Sequence, residues 1–384
     1  MKELNRREFL IGGASATAWL GGCRMFECGD AYSVSVLGDM HYDTFPKERF
    51  HSAAIKKWSV NGAHPMRLKE FERNAKMWSG ISRRILDASA KCVRPDAAFA
   101  LQLGDLVQGD CESDQLHKEM LSEATGLLEK AYPELPIVSL CGNHDIREGD
   151  NNRGSVKAYA DYMLPWESKQ LAAFAPDGVV NTTFGFRKGP DLWIVLDFNH
   201  DHRDRAIVEK LLEDNPDVRY TFIATHGSVL PMDLWRCPWY YMGYQPAEER
   251  RAMRSLFAKR NVIVLAGHEH TLVMKDWFGD GGRITEIILN TCAGISKGGI
   301  NPAVPEVLGE DPADYGYITE KGPAKPDKLS ALYDEYRPGL KRRYVAKAVG
   351  HHILRVTDES VELDYYGHDA LVPTKTFLLR ENLS

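Results

Sequence analysis

The sequence has no surplus of basic residues. Its 384 residues include 48 Lys and Arg against 54 Asp and Glu, so the formal net charge is −6. Proteins that bind nucleic acid through its phosphates usually show a basic surplus or a continuous basic stripe. The basic clusters here are brief, as in Arg83-Arg84 and Arg250-Arg251, and are typical of solvated helix faces. We therefore expect no binding of nucleic acid, unless a nucleic acid is the substrate.

Closely paired cysteines are also missing. The chain has seven cysteines but no CxxC pair, so neither a structural zinc module nor a thioredoxin-like motif is predicted. Scattered cysteines beside apolar runs usually behave as small buried hydrophobic residues. A disulfide is the alternative if the protein is exported, and the sequence does not pair them. The cysteines concerned are Cys92, Cys111, Cys141, Cys237 and Cys292.

No internal repeat, low-complexity tract or long apolar run occurs. A permanent membrane-spanning helix needs about 20 consecutive apolar residues, whereas the modestly apolar stretch 9–22 is shorter and rich in Gly and Ala. Length and composition favour a soluble α/β protein. We expect one domain over residues 29–384, with its core at 32–300 and a C-terminal extension at 301–384.

Residues 1–28 have the features of a targeting segment. Lys2 and the Arg6-Arg7 pair form a basic start before the apolar stretch, as in a removable signal sequence. The run 5–10 resembles the twin-arginine export motif, and Leu20-Gly21-Gly22-Cys23 resembles a lipobox. We expect a bacterial protein exported to the periplasm, or anchored on the outer side of the cytoplasmic membrane through a lipidated Cys23. A frayed amphipathic N-terminus is the alternative.

Five polar motifs each follow a short apolar, β-prone run. Such a run, bounded by turn residues, predicts a buried strand of a sheet covered on both faces. Functional groups in α/β sheets gather at the carboxyl ends of the strands. Five strands are therefore expected to deliver polar side chains to one edge of the fold. The motifs are Gly38-Asp39-Met40-His41, Gly104-Asp105-Leu106, Gly142-Asn143-His144-Asp145, Thr225-His226-Gly227 and Gly267-His268-Glu269-His270.

These motifs predict a dinuclear metal site. Carboxylate, imidazole and amide oxygen are the ligands that hard or borderline divalent ions accept. Asp39 and His41 alternate along extended backbone, and Asp105 at the end of the second strand is the natural bridge between two ions. The sequence does not decide among Mn, Fe, Zn and Ni. The seven candidate ligands are Asp39, His41, Asp105, Asn143, His226, His268 and His270.

The order GDxH, GDL, GNHD, a lone His after a strand and GHxH resembles that of the calcineurin-like metallophosphoesterases. The resemblance covers roughly residues 32–300. It implies an α/β fold, a four-layer αββα sandwich in which two mixed β-sheets are flanked by helices. It also implies hydrolysis of phosphate mono- or diesters, by in-line attack of a hydroxide that bridges two metal ions.

The resemblance assigns roles to matching positions. His144 would protonate or hydrogen-bond the leaving group. One metal ion would be held by Asp39, His41, Asp105 and His270, and the other by Asp105, Asn143, His226 and His268.

The second motif departs from two branches of that family. Many relatives continue it to GDxxDRG, whereas Gln108 stands in place of the second Asp and no Arg follows. The protein serine/threonine phosphatase branch is therefore disfavoured, and the group that orients His144 is not identified. Purple acid phosphatases carry a tyrosine ligand shortly after the second-motif Asp. None is present here, so an iron–tyrosinate chromophore is not expected.

The expected partner is a small-molecule phosphoester. Arg147 follows the third motif closely and is a candidate phosphate-binding residue, with an ordinary surface arginine as the alternative. Trp235, Trp239 and Tyr241 lie in an aromatic loop after His226 and are candidates for a substrate rim. A satellite hydrophobic cluster under a long loop is the alternative for these three.

Two other functions compete with a phosphoesterase. A catalytically degenerate protein could keep the scaffold and bind metal, sugar or lipid, but the complete ligand set and His144 argue against it. A serine hydrolase using Ser228 beside His226 lacks a nucleophile elbow.

The remaining strands are expected to form a second sheet. The runs 182–186 and 192–198 predict a β-hairpin, which fits antiparallel strands. The runs 353–357 and 361–366, in the C-terminal extension, are expected to complete this second sheet.

Overall fold

A computed structural model describes most of the chain between residues 31 and 382. Several predicted features lie outside the described residues: the predicted targeting segment 1–28, the rim candidates Trp235, Trp239 and Tyr241, and Cys237. Among those described, no helix is long and apolar enough to cross a membrane. The described ranges are 31–44, 49–52, 65–147, 155–179, 181–197, 202–231, 246–292, 302–315 and 332–382.

The described residues include fourteen strands and six α-helices of nine or more residues, and the stretches 49–52 and 332–336 are also helical. The strands are β1 (Tyr32–Leu37), β2 (Ala97–Gln102), β3 (Ile137–Ser139), β4 (Phe184–Lys188), β5 (Asp191–Leu196), β6 (Thr221–Thr225), β7 (Ile263–Ala266), β8 (Leu272–Gly279), β9 (Gly282–Ile288), β10 (Glu306–Gly309), β11 (Leu340–Lys347), β12 (Gly350–Val356), β13 (Ser360–Gly367) and β14 (Lys375–Glu381). The helices are α1 (Pro65–Met77), α2 (Arg83–Lys91), α3 (Asp114–Ala131), α4 (Ser155–Gln170), α5 (His202–Glu213) and α6 (Ala247–Lys259). A π-helical turn, Trp78–Ser82, joins α1 to α2.

The strands form two mixed sheets. The first has six strands in the order β14-β13-β12-β1-β2-β3, and the second has eight in the order β10-β11-β8-β9-β7-β6-β5-β4. Strands β1, β2 and β3 run parallel, as do β5, β6, β7 and β9. The other pairings are antiparallel, including the predicted β4–β5 hairpin. All six residues of β1 are buried, as expected for a central strand covered on both faces.

The two sheets face each other across the main hydrophobic core. Val34 and Phe99 of the first sheet pack in one cluster with Trp193 and Phe222 of the second. The Trp193 and Phe222 rings stack with their centroids 4.2 Å apart. Helices α3 and α4 contribute to the cluster on the outer face of the first sheet, and α5 and α6 to that on the second. The predicted α/β four-layer αββα sandwich is therefore confirmed.

The placement of the C-terminal strands was predicted wrongly. Strands β12 and β13 pair with the first sheet, where β12 lies antiparallel to β1, and β14 forms its edge. Within the described part of residues 301–384, only β10 and β11 join the second sheet. Alternating apolar residues predict a strand and its buried face, but they do not say which edge the strand joins, because that pairing is non-local.

A buried ion pair fixes the segment that follows His226. Lys275 of β8 lies directly opposite Glu286 of β9, with Nζ 2.8 Å from Oε2 and both side chains fully buried. The backbone N–H of Val229 donates to Glu286 Oε1 over 2.6 Å. Lys275 Nζ donates to the carbonyls of Leu230 and Pro231 over 3.2 and 3.1 Å. The pair thus ties residues 229–231 to the second sheet.

Removal of one partner should destabilise the fold strongly. Glu286→Gln leaves the Lys275 charge buried without its counter-ion, and we expect the free energy of unfolding to fall by about 3–5 kcal/mol. Urea denaturation measures this loss. The double variant Lys275→Met with Glu286→Met removes both charges, so its free energy of unfolding should fall by less than that of Glu286→Gln. A double variant that is less stable than Glu286→Gln would contradict this account.

Candidate metal centre

The five motifs meet at one edge of the sandwich, although their strands belong to both sheets. Strands β1, β2 and β3 supply the first three motifs, and β6 and β7 supply the other two. The backbone N–H groups of Met40 and His41 donate to the carbonyl of Asp105 over 3.1 and 2.8 Å. The N–H of His268 donates to Asp39 Oδ1 over 2.9 Å. These bonds join motifs from the two sheets in one compact site.

Two glycines allow the close approach of these motifs. A Cβ atom at Gly142 would lie 2.1 Å from the Asp105 nitrogen, and one at Gly104 would lie 2.6 Å from His226 Nδ1. Gly104 also has φ = +86°, a backbone conformation that side-chain-bearing residues rarely adopt. Glycine at these two positions is therefore required for the close packing of the second motif against His226 and of the third motif against Asp105.

Four candidate ligands converge in a first cluster. Asp39, His41, Asp105 and His270 each present one ligand atom, and these atoms all lie within 4.8 Å of one another. His41 Nε2 lies 2.9 Å from His270 Nε2 and 3.5 Å from Asp105 Oδ2. His270 Nε2 lies 3.5 Å from Asp39 Oδ1. Two imidazoles and two carboxylates thus point at one small volume.

A second cluster lies on the other side of Asp105. It contains Asp105, His226 and His268, again within 4.8 Å. His226 Nε2 lies 3.3 Å from Asp105 Oδ1, 3.2 Å from His268 Nδ1 and 3.2 Å from Asn143 Oδ1. Asp105 therefore turns one carboxylate oxygen toward each cluster. The division of residues is the one that the resemblance implies.

The backbone is strained where it presents these ligands. His41, Asp105, His268 and His270 have φ between +46° and +69°, and they are four of the eight non-glycine residues with positive φ in the described chain. Left-handed conformations of such residues cost of order 1–3 kcal/mol each and concentrate at functional sites. The ligand positions are therefore held by the surrounding structure against local preference.

Hydrogen bonds fix which ring nitrogen of His226 and of His41 faces the clusters. His226 Nδ1 lies 2.7 Å from the Leu103 carbonyl, and His41 Nδ1 lies 3.2 Å from Gln108 Oε1. A carbonyl partner requires a proton on Nδ1 and leaves Nε2 for a metal ion. Gln108 Oε1 also accepts from Asn74 Nδ2 on α1. Gln108 thus orients a candidate ligand.

The group that orients His144 is a backbone carbonyl. His144 Nδ1 lies 2.8 Å from the carbonyl oxygen of Gln108, and its ring packs edge-on against that of His41 with centroids 4.4 Å apart. Gln108 occupies the position of the second Asp of the GDxxDRG motif, and its main-chain carbonyl orients the His144 ring. This arrangement leaves His144 Nε2 directed toward Arg147.

Arg147 is part of the site. Its Nη1 lies 2.6 Å from His144 Nε2, and its Nε donates to Asp110 Oδ2 over 2.6 Å. The Asp110 side chain is fully buried, whereas that of Arg147 is one-fifth exposed. Glu70 of α1 lies 3.4 Å from Arg147 Nη2. The alternative of an ordinary surface arginine does not describe this environment.

The clusters hold opposite charges close together. Burial alone would raise the pKa of Asp105, but His226 and His144 lower it well below its usual value. Burial would likewise lower the pKa of His226, yet Asp105 and Asp39 raise it to about 9. Burial lowers the pKa of His41 to about 4 and that of His268 to about 3. A cation in this site would take over the role of the His226 proton.

The donor set fits two divalent ions. Carboxylates and imidazoles meet in both clusters, and His41 Nε2 lies 2.9 Å from His270 Nε2. Two neutral imidazoles whose nitrogens face each other can both bind one metal cation placed between them. Asn143 adds a neutral oxygen to the second cluster.

Sequence reasoning missed three residues of the site. Glu70 and Asn74 lie on α1, far from every motif, and no local pattern distinguishes them from solvated helix residues. Asp110 lies four residues after the second motif and directly after Gly109. That closeness to the motif was the available signal. The Ser228 hydroxyl shares its one proton between the Leu230 carbonyl and Glu286 Oε2. That bonding gives no support to a serine hydrolase.

Comparison with known proteins identifies both a family and a fold. A model of the calcineurin-like phosphoesterase family matches residues 32–272. The purple acid phosphatase PPD1 from seeds of yellow lupin (Lupinus luteus) aligns with 91% of this chain and 53% of its own, with a TM-score of 0.52 and 12% identity. PhoD aligns with 91% of this chain and 68% of its own, with a TM-score of 0.51 and 12% identity.

These structural likenesses show the fold alone. This chain spans about half the length of the lupin protein, 53%. No curated protein sequence matches the chain significantly.

Metal binding should release a proton. Because the pKa of His226 is about 9 in the metal-free protein, a metal ion must displace its proton at neutral pH. We expect the apparent affinity for Mn²⁺ to rise about tenfold per pH unit between pH 7 and 9, and then to level off. Calorimetric titration in two buffers of different ionisation enthalpy measures the proton release. An affinity independent of pH, without proton release, would contradict the raised pKa.

Proposed function

Because this chain belongs to the calcineurin-like phosphoesterase family, we propose that it hydrolyses phosphate mono- or diesters with two divalent metal ions. The observation that carries the proposal is the position of Asp105. Its Oδ2 lies 3.5 Å from His41 Nε2 and its Oδ1 lies 3.3 Å from His226 Nε2. A carboxylate shared in this way suits two ions only a few ångströms apart.

The seven motif residues would hold the metal ions. Two bound divalent cations would lower the pKa of water and stabilise the charge that develops on a phosphoryl group during in-line displacement. Asp39, His41 and His270 complete the first site around Asp105. Asn143, His226 and His268 complete the second. The identity of the ions, among Mn, Fe, Zn and Ni, is open to metal analysis.

His144 would act on the leaving group. Its Nδ1 donates to the Gln108 carbonyl, so Nε2, which lies 2.6 Å from Arg147 Nη1, is the atom that a departing oxygen would meet. Its ring lies against that of His41, which places Nε2 at the margin of the metal centre. Protonation of a leaving oxygen by a positioned group contributes typically 10²–10⁴-fold.

Arg147 would contact the phosphoryl group or its leaving oxygen. Asp110 holds the guanidinium through Nε, which leaves Nη1 in contact with His144 Nε2. Relatives that end the second motif in DRG carry an arginine there. This chain has none there, and Arg147, just after the third motif, contacts His144. The position of its Nη1 supports a role for Arg147 as a donor to a phosphate oxygen.

The test is metal-dependent turnover. We expect Mn²⁺-reconstituted protein to hydrolyse p-nitrophenyl phosphate, bis-p-nitrophenyl phosphate or both, and Asp105→Asn to lose activity together with metal. His144→Asn should keep its metal content and lower kcat by about 10²–10⁴-fold. Steady-state kinetics and metal analysis on the same preparations separate the two effects. Full metal occupancy without turnover of any phosphoester would favour a degenerate binding protein instead.

We propose further that residues 1–28 direct export. The Arg6-Arg7 pair and the Leu20-Gly21-Gly22-Cys23 run support a twin-arginine signal with a lipidated Cys23. Lysines in place of both arginines should retain the chain in the cytoplasm, and Cys23→Ala should release it from the membrane fraction. Cell fractionation measures both effects. An unchanged distribution of both variants would contradict export by this route.

A further inference from the structure

A pocket of about 270 Å³ lies at the edge of the second sheet opposite to the metal centre. Its wall includes Thr221, the first residue of β6, and Asn261, which precedes β7. The motifs of the metal centre follow the other ends of these two strands. The length of β6, about 13 Å at 3.3 Å per residue, separates the two places. The pocket is therefore distinct from the site described above.

Four cationic side chains line this pocket, which we call the basic pocket. They are Arg219, which precedes β6, Lys259 and Arg260 at the end of α6, and Arg380 of β14. Among the residues that the structure describes, no carboxylate lines it. The pocket therefore presents positively charged hydrogen-bond donors to a ligand.

Three of these cations have ordinary structural explanations. The Arg219 guanidinium pairs with the buried Asp191 at 2.6 Å and with Asp358, so these carboxylates balance its charge. Lys259 and Arg260 stand at the C-terminus of α6, where cations are common because they complement the helix dipole. Arg260 also donates to backbone carbonyls. None of these three residues requires a ligand by itself.

Arg380 is the cation that lacks a counter-ion. Its Nη2 donates to the carbonyl of Asn261 over 2.8 Å, and its Nε is buried without a hydrogen-bond partner in the described part of the chain. Burial and repulsion from Arg283 lower the pKa of Arg380 to about 10, despite the attraction of Asp276. Arginine ordinarily keeps a pKa above 12. The surroundings of Arg380 are therefore short of negative charge.

Asp276 does not compensate Arg380, because two other arginines already hold it. Its Oδ1 accepts from Arg283 Nη2 over 2.7 Å, and its Oδ2 lies 2.8 Å from Arg342 Nε. The Thr285 hydroxyl also donates to Oδ1 over 2.7 Å. One carboxylate thus faces the charges of three arginines, and the local sum is positive.

We propose that the basic pocket binds a small oxyanion of the phosphate type, either inorganic phosphate or the phosphate group of a larger molecule. Guanidinium and ammonium groups bind phosphate oxygens through charge-assisted hydrogen bonds. The anion supplies the negative charge that Arg380 lacks, and Lys259 and Arg260 contact its other oxygens. The pocket is smaller than the roughly 300–1,000 Å³ of sites for drug-sized ligands, which favours a small ligand.

Equilibrium dialysis with inorganic phosphate counts the sites on the Mn²⁺-loaded protein. We expect two classes of site, one at the metal centre and one in the basic pocket. Asp105→Asn, which should lose its metal ions, should keep only the class in the pocket. All samples have the same ionic strength, since salt screens the attraction between charges. Sodium acetate in place of phosphate controls for unspecific anion binding.

Two variants test the pocket itself. Arg380→Gln should weaken phosphate binding there about tenfold or more, because it removes charge-assisted hydrogen bonds. Lys259→Gln should weaken it about threefold, because that charge is exposed and screened. The matched control is Lys130→Gln, at an exposed position in the last turn of α3, which should bind phosphate as the wild type does.

The two variants also differ in their risk to the fold. Arg380 binds the carbonyl of Asn261, so thermal unfolding checks that Arg380→Gln remains folded. Lys259 is exposed, and its replacement tests the pocket even where Arg380→Gln does not fold.

Vesicles distinguish free phosphate from a lipid headgroup. Cosedimentation of the wild type with phosphatidylglycerol vesicles, lost in Arg380→Gln, would assign the phosphate group to a lipid. Dialysis that shows the site, without cosedimentation, would assign it to a soluble phosphate.

Two results would overturn the basic pocket as an anion site. One is a single class of phosphate site that disappears in Asp105→Asn. The other is equal binding by the wild type, Lys259→Gln and Arg380→Gln. Phosphate binding in the pocket without turnover of any phosphoester would overturn the proposed function alone.

Discussion

The sharing of Asp105 between two groups of ligands is the constraint on which the centre depends. One carboxylate oxygen faces His41 and the other faces His226, and these two histidines come from different sheets. Asp105 is almost completely buried, so its charge requires compensation at that place. His226, whose pKa Asp105 and Asp39 raise to about 9, supplies part of it. Two divalent cations would supply it more completely.

The sandwich supports this arrangement from several directions. Gly104 and Gly142 allow the motif segments to pack closely around Asp105. Four of the candidate ligands have left-handed backbone conformations. Carbonyl oxygens of Leu103 and Gln108 set the orientation of His226 and His144. The Lys275–Glu286 pair binds the backbone of residues 229–231, which follow His226. The ligand geometry is thus imposed by the packing of two sheets, which is how strain at a functional site persists.

The residues around His144 differ from the GDxxDRG pattern of many relatives. Gln108 occupies the place of an aspartate, yet its main chain still orients His144 and its side chain turns to His41. No arginine follows the second motif, and the arginine beside His144 is Arg147, whose Nε donates to Asp110. Glu70 then adds a negative charge from outside the motifs. The candidate metal ligands all belong to the five motifs, whereas Glu70 lies outside them.

The sequence alone determined the strands that end in the motifs, the seven residues that converge, and the α/β class of the fold. These features are local, because an apolar run followed by a turn residue defines both a strand and the place where its polar side chains appear. Only the tertiary structure decided that β12 and β13 join the first sheet, that Gln108 serves two histidines, and that Glu70 and Asn74 of α1 reach the centre. Strand pairing and the packing of a distant helix depend on contacts between residues far apart in the chain. No local pattern of residue types records such contacts.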